Sequence, residues 1–310
     1  VAGEMPDPEP GPGEVRVRIA VSSVNPTDVK RRREGRELGR FARIVPDNDG
    51  AGTIDRVGAG VPASRFGERV WVFGAQAGRP FGTAAEYTCV PARFAIPLPD
   101  NASFADGACL GVPAVTAHRC LFADGPVRDR AVLVSGGAGR VGAYAVRMAK
   151  RAGAFVIATA SSPAKLAALK DLGADVALDY RAEDLAGAVM AATRGQGVAR
   201  VVEAAFGANI ALAPKLLAPN GVVASYASDA TPEPKIPFGP LMVLNATLRL
   251  VFIYGMPEGA QNSAFADITE MLAAGALEHR VGARFPLARL ASAHEAIERG
   301  AATGSVLVDI

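Results

Sequence analysis

Cysteine is scarce in this sequence: Cys89, Cys109 and Cys120 are the only three in 310 residues, and no two form a CxxC pair. That excludes a disulfide framework and makes a reducing cytoplasm the simplest compartment. The three thiols read as small core residues rather than nucleophiles. Long apolar runs are also missing, since none approaches the roughly 18 residues of a membrane span. The longest candidate, residues 241–254, is broken by Asn245 and Arg249. Neither sign of charge dominates: 33 Lys and Arg against 31 Asp and Glu leave +2, so charge alone points to no nucleic acid. The opening VAGEMPDPEPGPGE lacks the basic-then-apolar order of a secretory signal. It also lacks an initiator Met, so an upstream segment is expected to be missing or removed.

Core-forming material is plentiful. Half the residues are hydrophobic, 21% are charged and the mean hydropathy is +0.20, a globular composition. The length fits two domains. Residues 15–24, VRVRIAVSSV, alternate β-branched and polar side chains and read as a strand. Shorter strand-like runs follow at residues 52–58, 69–73 and 84–91, punctuated by Gly and Pro. They predict a β-rich, barrel-like domain up to Asp106. Residues 105–122 read as a helix kinked or restarted near Pro113.

From Ala131 the rhythm changes. AVLVSGG reads as a strand and GRVGAYAVRMAKRAG as a helix; FVIATAS and SPAKLAALKDLG repeat the unit, with Pro163 in the first helical position. ADVALDY, RAEDLAGAVMAATRG, VARVVEAAF, NIALAPKLLAPNG and GVVASYA continue the alternation, and TLRLVFIYG closes it. Apolar strands alternating with helices predict an α/β fold with a parallel sheet covered on both faces. A helix at FADITEMLAAGAL, a Pro- and Arg-rich stretch, a helix over residues 290–299 and the strand SVLVDI complete the chain. The expected division is a substrate domain of residues 1–106 and 256–310 around a Rossmann domain of residues 107–255.

The sharpest motif is Ser135-Gly-Gly-Ala-Gly-Arg-Val-Gly142. It contains G-x-G-x-x-G as Gly137, Gly139 and Gly142, directly after a predicted strand and at the start of a predicted helix. Gly137 would make the tight turn, Gly139 would admit a pyrophosphate to the backbone, and Gly142 would let helix and strand pack closely. The helix N-terminus would offer its N–H groups to the phosphates. Binders of NAD place an acid at the end of the second strand. Here that stretch reads Thr159-Ala-Ser-Ser-Pro-Ala-Lys165, with no acid. Ser161, Ser162 and Lys165 suit the 2′-phosphate of NADPH, although Lys165 also fits a solvated helix face.

Taken together, the stretches PDPEPGPGEVRVRI, VNPTD, DGAGTIDRVGAGV, GERVWVF, GTAAEY, LGVPAVTAH, VLVSGGAGRVG, LGADVALDYRAEDL and AHEAIERGAATGSVLV resemble the medium-chain dehydrogenase/reductase superfamily. Within it they resemble the zinc-free, zeta-crystallin-like quinone oxidoreductase branch. The resemblance spans nearly the whole chain and implies a GroES-like domain beside the Rossmann domain. Family chains begin with a further strand or two, so the chain is expected to be short by roughly twenty residues at the front.

The resemblance also implies roles for single residues. Gly136, Gly139 and Gly142 match the phosphate-loop glycines, with Gly137, Ala138, Arg140 and Val141 in the same loop. Lys165 and Tyr180 match positions that hold the adenosine phosphate. Asn25, in VNPTD, matches a polar residue facing nicotinamide and substrate, and Thr116 a residue near the nicotinamide. Phe252, Ile253 and Tyr254 match a strand that closes the nicotinamide side and often pairs with a second subunit, so a homodimer is the family expectation. Zinc relatives place Cys where this chain has Asn25, and Gly-His-Glu where it has Asp47-Asn48-Asp49; they also carry a four-cysteine lobe. No zinc site is therefore expected. The tyrosines of many relatives shortly after the Asn are replaced by Lys30-Arg-Arg-Arg-Glu-Gly-Arg36, with Arg40 and Arg43 beyond. That basic stretch reads as a solvated loop or as a device steering anionic ligands.

With neither metal nor an acid/base pair in view, the chemistry would rest on positioning and on exclusion of water. That suits an acceptor already electron-poor, a quinone or a C=C bond conjugated to a carbonyl, as in an enone or enoyl thioester. Asn25 would hydrogen-bond the acceptor's carbonyl oxygen; as a turn residue before Pro26 it has a plainer reading too. His118 reads as packed, and His279 and His294 as surface positions. A reading of another class is a non-catalytic crystallin-like or RNA-binding protein. The low net charge and the lack of an aromatic-rich basic face weigh against it.

Overall fold

The computed structural model describes residues 3–35, 39–181 and 184–310. They form two compact units, Val1–Pro113 with Phe265–Ile310, and Ala114–Ala264. Elements are numbered in chain order.

The first unit is built on β1 (Glu14–Val24). Its alternation drives Val15, Val17 and Ile19 into a core with Ile54, Val70, Val72 and Val90. α1 (Pro26–Arg33) follows at once, then β2 (Asp49–Val57), β3 (Arg69–Val72), β4 (Tyr87–Pro91), β5 (Ala95–Pro97) and α2 (Phe104–Ala108). After the second unit the chain returns with β12 (Val281–Pro286), α10 (Leu290–Glu298) and β13 (Ser305–Asp309). The seven strands make one sheet in the order β12-β13-β1-β2-β3-β5, with β4 also on β1. Trp71, Phe73, Phe94 and Phe265 fill one end of the core with edge-on ring contacts.

Two boundary helices, α3 (Gly111–Phe122) and α9 (Glu258–Ala273), each span a division between the units. The break that separates α2 from α3 lies at Cys109–Leu110, not at the expected Pro113. Pro113 sits in the first turn of α3, where its missing N–H has no intrahelical acceptor to lose.

The second unit alternates β6 (Ala131–Val134), α4 (Arg140–Arg151), β7 (Phe155–Ala160), α5 (Pro163–Asp171), β8 (Val176–Asp179), α6 (Leu185–Ala192), β9 (Val198–Glu203), α7 (Phe206–Asn209), β10 (Leu217–Ser225), α8 (Phe238–Val243) and β11 (Thr247–Leu250). All six strands are parallel, in the order β11-β10-β9-β6-β7-β8. The chain runs from β6 to β8 in one direction and resumes with β9 on the other side of β6. That reversal is the switch point beside which α/β sheets bind ligands.

Three further expectations change. The basic stretch begins as helix, since α1 carries Lys30 to Arg33 in its last turn, where cations suit the helix dipole; Arg36 lies outside the described residues. NIALAPKLLAPNG is not one helix: a short α7 and a turn at Ala213–Lys215 give way to β10 at Leu217. Pro214 and Pro219 explain this, because neither can sit in a helix interior. Finally β11 stops at Leu250, and Ile253–Gly255 is a 3₁₀ turn, so Phe252, Ile253 and Tyr254 are not strand residues. Among the described residues no helix is long and apolar enough to cross a membrane.

Candidate active site

The loop after β6 is shaped by its glycines. Gly136, at φ +64°, makes the left-handed turn that had been expected of Gly137. Gly137 has a packing role instead, because a Cβ there would meet Leu169 Cδ2 at 2.8 Å and Ala158 Cβ at 2.9 Å. A Cβ on Gly142 would lie 2.4 Å from the Gly136 carbonyl oxygen, so the first turn of α4 rides directly on the loop. Gly139 is the N-cap of α4 and brings no side chain to cap it. Val141 and Gly142, in that first turn, have no carbonyl one turn earlier in the helix for their N–H groups. The arrangement leaves a backbone cradle and a partial positive charge for an anion.

The loop is anchored at both ends. Gly136 N–H donates to Thr159 Oγ1 at 3.1 Å and Gly137 N–H to the Thr159 carbonyl at 2.9 Å, which fixes it to the end of β7. On the other side Ser135 Oγ donates to Glu203 Oε1 at 3.0 Å. The same oxygen accepts Ala205 N–H at 2.6 Å and Asn209 Nδ2 at 2.9 Å, and Glu203 is only 4% exposed. Sequence reading missed Glu203, although an acid ending an apolar strand beside the glycine loop was a usable signal. Glu203→Ala would strand three donors, at about 1–3 kcal/mol each where burial is complete. A titration of cofactor fluorescence is expected to show about tenfold weaker NADPH binding in Glu203→Ala, with Glu203→Gln within about threefold of the parent.

The residues expected at the cofactor's 2′ end gather on the same edge of the sheet. Ser162 caps α5, accepting the Lys165 N–H at 3.4 Å, and Lys165 is exposed. Tyr180 N–H donates to the Ala160 carbonyl at 3.3 Å, which brings Tyr180, 51% exposed, beside Ser161 at the ends of β7 and β8. Arg181 stands next to it but is committed to Asp179, whose carboxyl it holds down to about 2. Thr116 and His118 lie on α3 and are buried, His118 against the Phe122 ring at 4.8 Å. Phe252 is 69% exposed and meets Tyr254 edge-on at 5.4 Å, while Ile253 is buried.

Asn25 belongs to the first unit and is the N-cap of α1. It is 1% exposed, and its Nδ2 donates to Asp49 Oδ2 at 2.8 Å. Its own N–H donates to Asp28 Oδ2 at 2.7 Å, and Asn48 Nδ2 donates to Asp28 Oδ1 at 2.6 Å. Asp49 Oδ2 also accepts Val112 N–H at 2.7 Å, an approach that requires Gly111, whose Cβ would fall 2.0 Å from Asp49 Oδ1. Asp47, at φ +74°, pairs through Oδ1 with His294 Nε2 at 3.1 Å. His294 is therefore buried, 2% exposed, and not a surface residue. It shares the apolar stripe of α10 with Leu290 and Ile297, at helical spacing, which is the signal sequence reading passed over.

The two carboxamides of this cluster do not fit zinc. Asn25 and Asn48 offer carboxamides, each spent on a neighbouring carboxylate, where zinc takes thiolate, imidazole or carboxylate. Among the described residues no group of three or more His, Cys, Asp or Glu is placed to hold a metal ion.

Comparison with known proteins covers both units. A family model described as "Alcohol dehydrogenase GroES-like domain" matches residues 11–100, and one described as "Zinc-binding dehydrogenase" matches residues 141–274. A 2-methylene-furan-3-one reductase from Solanum lycopersicum is 37% identical over 174 residues, 53% of this chain. The chain spans only 44% of that enzyme's length. A quinone oxidoreductase from Homo sapiens is 26% identical over 287 residues, covering 92% of this chain and 85% of the human one. A solved mycobacterial structure, complexed with NADPH, superposes with a TM-score of 0.85 at 28% identity, over 99% of this chain and 95% of that one.

Proposed function

The chain belongs to the medium-chain dehydrogenase/reductase superfamily, in its quinone oxidoreductase branch, and from that premise we propose that it is a zinc-independent reductase moving hydride from NADPH to a quinone. The observation that carries the reading is the uncapped first turn of α4 on a glycine loop, with Ser161, Ser162 and Lys165, and no acid, at the end of β7. When bound, NADPH supplies the hydride. The chain's own part is to hold and orient. First-turn amides of α4, at Val141 and Gly142, bind the diphosphate over the loop of Gly136 to Gly139, and Ser161, Ser162, Lys165 and Tyr180 the 2′-phosphate. Thr116 and Phe252 to Tyr254 are assigned to the nicotinamide side by resemblance alone.

Asn25 is the assigned acceptor-binding residue. Asp49 fixes its amide, which has a second N–H to give to a carbonyl oxygen. In a buried setting that donor is worth more than in water. The similarity to an enone-type reductase of tomato supports a second reading, in which the acceptor is a conjugated C=C bond. Steady-state NADPH oxidation with benzoquinone and with a small conjugated enone separates the two. The quinone is expected to turn over, with no loss on adding a chelator; turnover of the enone alone sinks the quinone assignment.

A homodimer is part of the same reading. Phe238, Met242, Val243, Leu250 and Phe252, each more than 60% exposed, lie on and around α8 and the edge strand β11. A second copy would cover such apolar side chains and pair the open edge. Light scattering should return twice the 31.9 kDa chain mass; a monomer at micromolar concentration contradicts it.

A further inference from the structure

Three carboxyl groups, Asp28, Asp47 and Asp49, are each 1% exposed or less around Asn25 and Asn48, and their oxygens lie in hydrogen bonds with Ser22, Asn25, Asn48, Val112 and His294. The charged groups that act on Asp28 are Asp47, from the loop before β2, and His294, from α10. With Asp47 beside it, the fully buried Asp28 is costly to ionise. Burial first, and the Asp47 charge second, push Asp28 up to about 7, against hydrogen bonds from Asn25 and Asn48 and the pull of His294. Asp28 therefore keeps its proton up to near neutrality.

The geometry ties that proton to Asn25. Asp28 lies in the first turn of α1, and its two oxygens bridge the N-cap of that helix to Asn48. The Asn25–Asp49 bond spans the same gap, from α1 to the loop of residues 47–49. That loop is held at a left-handed Asp47, a conformation that costs free energy in any residue but glycine. A new charge on Asp28 repels the loop and presses on the same seam.

We propose that Asp28 is a positioning residue: protonated, it keeps α1 seated and the Asn25 amide on Asp49, and ionised, it lets that amide go. The proposal rests on Asn25 serving the acceptor, as assigned above. The sign follows from the direction of the shift. The folded state holds a proton that the unfolded chain gives up near the usual carboxylate value, so stability falls as pH rises from about 4 to about 7 and is level above. Activity falls over the upper part of that range and beyond.

The test compares the parent protein with Asp28→Asn. The variant is neutral at every pH, still accepts the Asn25 N–H, and can offer an amide hydrogen to Asn48 Oδ1, which has no hydrogen-bond partner. Between about pH 7 and pH 9 the parent's kcat/KM for benzoquinone is expected to drop at least tenfold, while Asp28→Asn stays within about twofold. Infrared difference spectra should show a protonated carboxylic acid that titrates near neutrality in the parent and is missing from the variant. Superimposable pH profiles, or no such acid, overturn the proposal. If neither protein reduces any acceptor, the functional reading fails, and the Asn25 side-chain amide resonance still decides: it should move with the infrared midpoint, and a stationary signal overturns the proposal. Should Asp28→Asn not fold, His294→Gln removes the pull on Asp28 and should raise the midpoint; an unmoved midpoint counts against it.

Discussion

Lys165→Glu is expected to weaken NADPH binding about a hundredfold and to leave NADH within about threefold. A charge-assisted hydrogen bond is worth about 1.5–3 kcal/mol, and replacing a cation by an anion adds repulsion to its loss. Lys165 is exposed and its backbone N–H is already spent on Ser162, so the substitution disturbs no packing. Folding should be unaffected, which a thermal melt checks. The comparison of cofactors is what gives the experiment force: NADH lacks the 2′-phosphate, so an equal loss for both would place Lys165 outside the 2′ site.

The second large effect is expected at Gly142. In Gly142→Ala the new Cβ would stand 2.4 Å from the Gly136 carbonyl oxygen and 2.7 Å from Gly137 Cα. Both are backbone atoms, so α4 or the loop must shift. Overpacking of this kind costs about 1–3 kcal/mol of stability. The loss of aligned donors to the diphosphate should lower NADPH affinity by a further factor of about a hundred. Gly259→Ala is the control, because a Cβ there meets nothing within 4 Å and alanine is the better helix former. Its melting temperature should equal or exceed the parent's, with NADPH binding intact. If Gly142→Ala binds NADPH as the parent does, the loop is not the phosphate cradle.

The two halves of the molecule were not equally legible. In the second unit the signals are local. Apolar runs such as Ala131–Val134 and Phe155–Ala160 stand directly before their helices, and Pro163 takes its expected place at the start of α5. Errors arose where proline outweighed apolar spacing, at Pro214 and Pro219, and where the apolar run TLRLVFIYG outlasted its strand at Leu250. The glycine motif was visible, but its division of labour was not. That Gly136 takes the positive φ and Gly137 the close packing depends on Ala158 and Leu169, which belong to later elements.

In the first unit the polar cluster could not be read from any window. Asp47 and His294 are separated by 247 positions, and Asn25 and Asp49 by 24. Asn25 had a plain reading as a turn residue before Pro26. Only the sheet, with β1 between β2 and β13, brings α1, the loop of residues 47–49 and α10 to one place. Burial then changes the chemistry of Asp28, and no sequence pattern carries burial of that kind.

Crystals grown with NADPH would put the account to its most direct test. The prediction is a diphosphate on the backbone amides of the turn that begins at Ser135, a 2′-phosphate among Ser161, Ser162, Lys165 and Tyr180, and no zinc bound near Asn25 and Asn48. A cofactor seated elsewhere, or a stoichiometric zinc ion among those side chains, would contradict it.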